Sequence, residues 1–160
     1  MPPRYAAAPA DLTPPAEMVV MGGLAFLEGM IRGDRPGPAI AGLLGFNIVA
    51  AGPGTATFRG TPTFAVTNPM GGVHGGWYGA VLDSALGCAV MAGLEPGRLY
   101  TTLEYKVNLV RAIPLGTEVE AVARTVHTGR STAVAEAAMR GVADGQLYAT
   151  GSTTCLIMAR

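Results

Sequence analysis

Charge is scarce in this sequence. Only 14% of its 160 residues are Asp, Glu, Lys or Arg, and 11 acidic residues cancel 11 basic ones; ordinary soluble domains carry about 25%. Such a balance gives no basic footprint for nucleic acid and no polybasic segment for a membrane surface, so neither partner is expected. Cysteine and histidine are equally sparse. Cys88 and Cys155 form no CxxC, and His74 and His127 form no HExxH or HxH. Neither a disulfide framework nor a metal site is expected, and the two thiols read as free and buried. His127, beside the turn Thr128-Gly129-Arg130, reads as an exposed hairpin histidine. The chain also lacks the GxSxG elbow of many hydrolases, the GxxxxGK[ST] phosphate loop and the GxGxxG dinucleotide loop, and no cofactor is expected. The N-terminus MPPRYAAAPADLTPP has no apolar core for a secretory signal. The uncharged run Pro36–Phe58 is broken by three prolines and five glycines. No membrane span follows, and the expected location is cytoplasmic.

What is present is apolar: 49% of residues are hydrophobic, enough to exclude disorder as the main state. The length suits one domain, and a chain so poor in charge is expected to hide surface in an oligomer as well as in its core. Residues 1–14 hold four of the twelve prolines and read as a flexible Pro/Ala-rich leader, leaving one domain over residues 15–160. Val20, Leu24, Leu27 and Ile31 recur at helical spacing, Pro15 suits a first turn and Gly33 a stop, so a helix is predicted over about 15–33. Gly22, Gly23 and Gly29 weaken it, so it needs a surface on which to dock. GFNIVAAG and TATFRGTPTFAVTN, separated by Gly-Pro-Gly, read as strands. His74–Ala92 is apolar nearly all round, which marks a buried helix, and Gly87 inside it suits close approach of a neighbouring strand.

Beyond Pro96-Gly97 the period changes to two. Leu99, Thr101, Leu103, Tyr105, Val107 and Leu109 alternate with Tyr100, Thr102, Glu104, Lys106 and Asn108. TEVEAVARTVH, STAVAEAAMRGV and QLYATGSTTCLIM follow, joined by turn-forming residues, and no proline occurs after Pro114 to interrupt a ladder. The predicted class is α+β: two strands, a long buried helix, then a four-stranded antiparallel meander, with the helix covering one face of the sheet.

Across the 35 residues from Gly60 to Leu94 the only formal charge is Asp83. It follows the run Asn68-Pro-Met-Gly-Gly-Val-His74-Gly75-Gly76. Gly75 and Gly76 let the chain turn into the helix, whose first amides lack internal partners and sit at the positive end of its dipole. Those amides can bind a carbonyl oxygen that becomes negative in a transition state. Asn68 offers an amide able to orient water or a carbonyl. Asp83 is a carboxylate in apolar surroundings, where desolvation tunes a base or a nucleophile. Each has a structural alternative: Asp83 as an acceptor for Ser84, a threonine or backbone amides, the glycines as a packing device. The combination favours chemistry. Gly76 and Asp83 are seven residues apart, roughly 10 Å on one helix at 1.5 Å per residue, whereas reacting groups must approach to about 3 Å. Two copies related by a two-fold axis can bring one helix end to the other's Asp83. A site at a homodimer interface is therefore expected.

NPMGGVHGGWYGAVLDSALGCAV, with TTLEYKVNLVRAI and HTGRSTAVAEAAM, resembles the hotdog-fold acyl-CoA thioesterases of the phenylacetyl-CoA thioesterase (PaaI-like) branch. The likeness runs from about Leu43 to the C-terminus, and the N-terminal helical segment is similar to an extension found in part of that family. The resemblance implies an antiparallel sheet wrapped around a long central helix, in dimers and commonly tetramers. It implies hydrolysis of acyl-CoA to free acid and CoA without metal or cofactor. By the same resemblance Asp83 is general base or nucleophile, the Gly75 amide serves the oxyanion hole, His74 positions that loop, and Asn68 orients water or thioester, with Asp83 coming from the opposite subunit. The family also uses a Ser or Thr after the helix; Thr101 matches best, with Thr102 next to it. Gly76 and Trp77, with Tyr78 or the N-terminal helix, would shape the substrate pocket. Arg111 and Arg130, among ten arginines against one lysine, are candidates for the CoA phosphates. The alternative is a non-catalytic acyl-CoA-binding hotdog, a sensor or scaffold, against which the joint presence of Asp83, Asn68, His74 and Gly75 argues. A hotdog hydratase would need a His and an acid around a different loop.

Overall fold

The computed structural model describes residues 3–159. Three short helices, α1 (Pro15–Met21), α2 (Gly23–Arg32) and α3 (Ala39–Leu44), precede the hairpin β1 (Phe46–Gly52) and β2 (Thr55–Gly60). The long helix α4 (Gly75–Ala92) follows, then β3 (Arg98–Leu109), β4 (Val119–Thr128), β5 (Thr132–Gly141) and β6 (Leu147–Ala159). The six strands form one antiparallel sheet in the order β1-β2-β4-β5-β6-β3, and α4 touches every strand. This is the hotdog arrangement: a sheet curled around one helix.

Side-chain size explains the close wrap. The inner face of the sheet is nearly all small, with Ala121, Ala123, Ala133, Ala135 and Ala149 fully buried. The helix supplies the bulk through Val81, Leu82, Leu86 and Val90, all at most 1% exposed. Gly151 of β6 leaves room for the tips of Leu82 and Leu86, which lie 3.6 and 3.3 Å from where its Cβ would be. Large residues on a helix against small ones on a sheet reach interior packing density without voids.

Three expectations need correction. The four-stranded meander is three strands, β4-β5-β6; β3 lies outside β6, and β4 instead pairs with β2, Phe58 opposite Ala121. The predicted second strand, TATFRGTPTFAVTN, keeps strand geometry only to Gly60; Pro62 breaks it, and Phe64–Val66 is a 3-10 turn. The helix expected over 15–33 is two helices. Gly22 stands between them at φ 83°, ψ 152°, a conformation outside any helix that glycine adopts without a Cβ penalty. The break turns Val20 outward, 79% exposed, while Leu27 is fully buried.

Of residues 1–14, read as a flexible leader, 1–2 lie outside the described residues and 3–14 are strapped to the domain. Arg4 and Ala6 exchange backbone hydrogen bonds with Gly37 at 2.8 and 2.9 Å. The Tyr5 hydroxyl donates to the Phe46 carbonyl at 3.1 Å, and its ring fills the space a side chain at Gly42 would need. Among the described residues no helix is long and apolar enough to cross a membrane.

Candidate active site

Strand β3 runs along one side of α4, where helix residues recur every fourth position: Gly75, Gly79, Asp83, Gly87. Each faces a β3 side chain. Leu109 lies over Gly75, Tyr105 over Gly79 and Tyr100 over Gly87, and the Thr102 hydroxyl donates to Asp83 Oδ1 at 3.4 Å. A Cβ at Gly87 would lie 3.0 Å from the Tyr100 ring. The strand approach anticipated at Gly87 is thus made by a phenol. The carboxylate stands in a row of glycines that admit two tyrosines, one on either side.

The regular alternation read along β3 does not persist. The pairing with β6 slips between Thr102 and Glu104, making Leu103 a bulge. Tyr100 and Thr102 face the helix before it; Tyr105, Val107 and Leu109 do so after it. Thr102 therefore meets Asp83, while Thr101 is exposed on the rim of the same cavity.

Burial pushes the Asp83 carboxyl above the usual Asp range, and the Thr102 hydrogen bond partly offsets it. Burial, reinforced by the Asp83 charge, pushes the Cys88 thiol up to about 12, which makes it an unreactive wall residue. Burial, with the neighbouring thiols and Asp83, also holds the Tyr100 phenol in its neutral form, well above its usual value. Both cysteines are free. Ser84, beside the acid, returns its hydroxyl to the Ala80 carbonyl at 2.8 Å.

The helix start is assembled by its loop. Asn68 Oδ1 accepts from the amides of Met70 and Gly72 at 3.0 and 3.2 Å, leaving its NH2 as the group able to reach a ligand. The His74 amide donates to the Val66 carbonyl at 2.9 Å, and a bridge joins Thr67 to Val73. His74 is the N-cap: its Nδ1 accepts from the Gly76 amide at 2.9 Å, and its carbonyl accepts from the Trp77 amide at 2.9 Å. Of the first three helical amides, only that of Gly75 has no partner among the described residues. The two glycines are not equivalent: Gly75 offers a donor, Gly76 has spent its own.

Along α4 Gly75 and Asp83 are eight residues apart, about 12 Å. One chain does not bring the free amide to the carboxylate. Asp83, Thr101 and Thr102 border a cavity of about 960 Å³ between the two edge strands β1 and β3. His74, Gly76 and Trp77 border a separate hollow of about 260 Å³. Trp77 is buried there, its indole N–H donating to the Leu44 carbonyl at 2.8 Å. Tyr78 lies in neither; its hydroxyl accepts from the Ile113 amide at 2.8 Å. Arg111 and Arg130 are exposed at opposite ends of the sheet, Arg111 just beyond Leu109 of β3 and Arg130 beside the strand ends that pair with Thr101. Roughly 30 Å of strand separates those ends at 3.3 Å per residue, so one chain does not place both on one phosphate. His127 is exposed near its turn. Among the described residues no three His, Cys, Asp or Glu cluster to hold a metal.

Sequence reasoning missed Tyr100, Tyr105 and the strap. The four-residue spacing of Gly75, Gly79, Asp83 and Gly87 was the available signal for the tyrosines, since a glycine row marks where something packs close on a helix.

Residues 70–147 match the model of the Thioesterase superfamily. Among solved structures, a phenylacetic acid degradation-related protein of Ralstonia eutropha is 34% identical with a TM-score of 0.73, covering 82% of this chain and 98% of that one. A conserved protein of Pseudomonas aeruginosa is also 34% identical, with a TM-score of 0.70 over 75% of this chain and 94% of its own. A point variant of the phenylacetic acid degradation protein PaaI of Thermus thermophilus is 26% identical, with a TM-score of 0.67 over 73% and 96% of the two chains. No curated protein matches the sequence.

Proposed function

Because the chain belongs to the thioesterase superfamily, in its PaaI-like branch, and is a thioester hydrolase, we propose that it hydrolyses acyl-CoA at a site shared by two subunits. The observation that carries this reading is the division of the machinery within one chain. The free Gly75 amide and the Asp83 carboxylate lie at different places along one helix, so each is half of a site.

In the proposed reaction Asp83 of one subunit takes a proton from water as it attacks the thioester carbonyl carbon, or attacks that carbon itself. The carbonyl oxygen gains negative charge, and the Gly75 amide of the other subunit, at the positive helix end, stabilises it. Collapse of the tetrahedral intermediate breaks the C–S bond and releases CoA thiolate, which takes up a proton. Where water attacked, the free acid leaves directly; where Asp83 attacked, an acyl-Asp83 anhydride remains, which water hydrolyses to the free acid and the regenerated carboxylate. Thr102 orients the carboxylate, and Asn68 and His74 build the loop that presents the amide. The raised affinity of Asp83 for a proton suits a base working in a partly desolvated site. The outer edge of β3 is open, and Leu103, Tyr105 and Leu109 on it are 58%, 46% and 55% exposed. Such an apolar edge suits a second copy of the chain.

Complementation tests the division. Asp83→Asn is expected to lose at least about 100-fold in kcat while still binding acyl-CoA. Gly75→Pro deletes one N–H at a first helical position that tolerates proline, and is expected to lose about 100- to 1,000-fold. Random mixing of the two inactive chains leaves half the dimers mixed, with one intact site each. Thiol release should return to about a quarter of wild type. No recovery would place both groups in one chain's site, and a monomer by light scattering would remove the interface. A sensor or scaffold would bind acyl-CoA and release no thiol.

A further inference from the structure

The cavity beside Asp83 extends far beyond the room a thioester carbonyl needs. It follows α4 from Asp83 through Cys88 to Met91, eight residues and about 12 Å of helix. Phe26, Leu27 and Met30 of α2 form its outer side, Ile48 and Phe58 its flank. The strap forms its roof through Tyr5, Pro9, Leu12 and Pro14. This roof is fastened at two points and braced within itself at a third. Tyr5 is bonded to Phe46 and seated on Gly42. Asp11 Oδ2 accepts from the amides of Ala7 and Ala8 at 2.8 and 2.9 Å, holding the turn that brings Pro9 inward. Arg35 reaches Thr13 at 3.3 Å and Glu17 at 2.7 Å, tying strap and α1 to the segment after α2.

We infer that residues Arg4–Arg35 close an acyl-chain tunnel running from Asp83 towards Met91, and that the preferred substrates carry long, flexible apolar acyl groups, decanoyl rather than acetyl or phenylacetyl. The inference rests on the thioesterase reading and adds the substrate class. An extended chain advances about 1.2 Å per bond, a third of the 3.3–3.6 Å of an extended residue, so about 12 Å accommodates roughly ten bonds. A ring on a one-carbon spacer would leave the Met91 end unfilled. Met18, Met30 and Met91 line the tunnel, and their pliant thioethers suit a chain with many conformers better than a rigid ring.

The test is thiol release by the full-length protein from acetyl-, phenylacetyl- and decanoyl-CoA. The decanoyl thioester should exceed acetyl by at least about 100-fold in kcat/KM, since each apolar contact in such a pocket discriminates by tens-fold. Met30→Trp, which narrows the tunnel from its α2 side, should lower the decanoyl-to-acetyl ratio at least about tenfold. Tyr5→Ala, which unfastens the roof, should raise KM for decanoyl-CoA more than for acetyl-CoA. Acetyl- or phenylacetyl-CoA cleaved as well as decanoyl-CoA by wild type would overturn the tunnel while leaving the thioesterase reading intact. Absence of thiol release from every thioester would overturn that reading instead. Calorimetry would then decide the tunnel: tighter binding of decanoyl- than acetyl-CoA upholds it, and equal binding overturns it.

Discussion

Gly23→Ala sets helix propensity against packing. On propensity alone, alanine in place of a helical glycine gains about 1 kcal/mol at most. The structure reverses the sign. A Cβ on Gly23 would overlap the Met91 carbonyl oxygen and lie 2.7 Å from the carbonyl carbon and 2.8 Å from Met91 Cγ. The obstacle is the backbone of α4, which no rotamer change removes, so α2 must retreat by on the order of 1 Å. A gap of that size forfeits up to half of each dispersion contact along the interface, where Leu27 is fully buried. Overpacking costs about 1–3 kcal/mol, and a rigid obstacle belongs at the upper end. Against the propensity gain, about 2 kcal/mol of destabilisation remains. For a chain of this size that lowers Tm by about 4–8 °C. Gly29→Ala, in the same helix, is the control. Its Cβ would meet only the flexible Arg35 stem, at 3.2 Å. It should leave Tm unchanged or slightly raised. Thermal unfolding followed by circular dichroism reads both. A Gly23→Ala protein as stable as the Gly29→Ala protein would refute the docking of α2 on the end of α4.

Three further outcomes follow from the site. Asp83 binds its proton more tightly folded than unfolded, so its contribution to stability is present below the ordinary Asp range near pH 4 and is lost as pH rises through the folded value. Asp83→Asn escapes that loss: it should unfold at higher temperature than wild type at pH 7, with the gap closing below about pH 4. Thr102→Val removes the one hydrogen bond that draws the Asp83 proton affinity down; the acid limb of kcat/KM against pH should move upward, while Thr101→Val leaves the limb in place. His74→Ala removes the N-cap and should cost about 1 kcal/mol in denaturant unfolding, with His74→Asn recovering most of it because asparagine caps as well.

The order of elements after Gly45 was legible because each segment repeats a strong local period: all-apolar for α4, alternating for β4, β5 and β6. Pairing was less so. Nothing local to β3 distinguishes pairing with β6 from pairing with β4; that depends on the sheet curling around α4. The helix break at Gly22 is half visible, in that Gly22 and Gly23 weaken a helix, while the extended, positive-φ conformation of Gly22 is set by docking on α4. The prolines of the strap signal flexibility, yet its fastening depends on Gly37 and Gly42, which meet it only in three dimensions. At the site, Asn68, His74, Gly75 and Asp83 stood out through residue type and the absence of other charge. The inequality of Gly75 and Gly76 did not, because it is decided by where one imidazole nitrogen points.

The bulge at Leu103 makes β3 a strand with a phase. Thr102 and Tyr105 reach the same helix although they are three positions apart, and alternation alone would point them to opposite faces. Deleting Leu103 would leave Thr102 and Tyr105 two positions apart, with plain alternation holding both on the helix and the pairing with β6 unbroken. One residue lost elsewhere in the strand, with the bulge kept, would turn everything beyond it to the other face. The bulge absorbs a one-residue loss as a loop would, whereas the regularly paired positions transmit it along the strand to the residue lying over Gly75. Within β3, Leu103 is thus the position where losing one residue leaves every side chain on its own face. The bulge is the slack in the strand: it takes up the supernumerary leucine and so keeps the acid's hydroxyl partner and the packing at the helix start in step on one backbone.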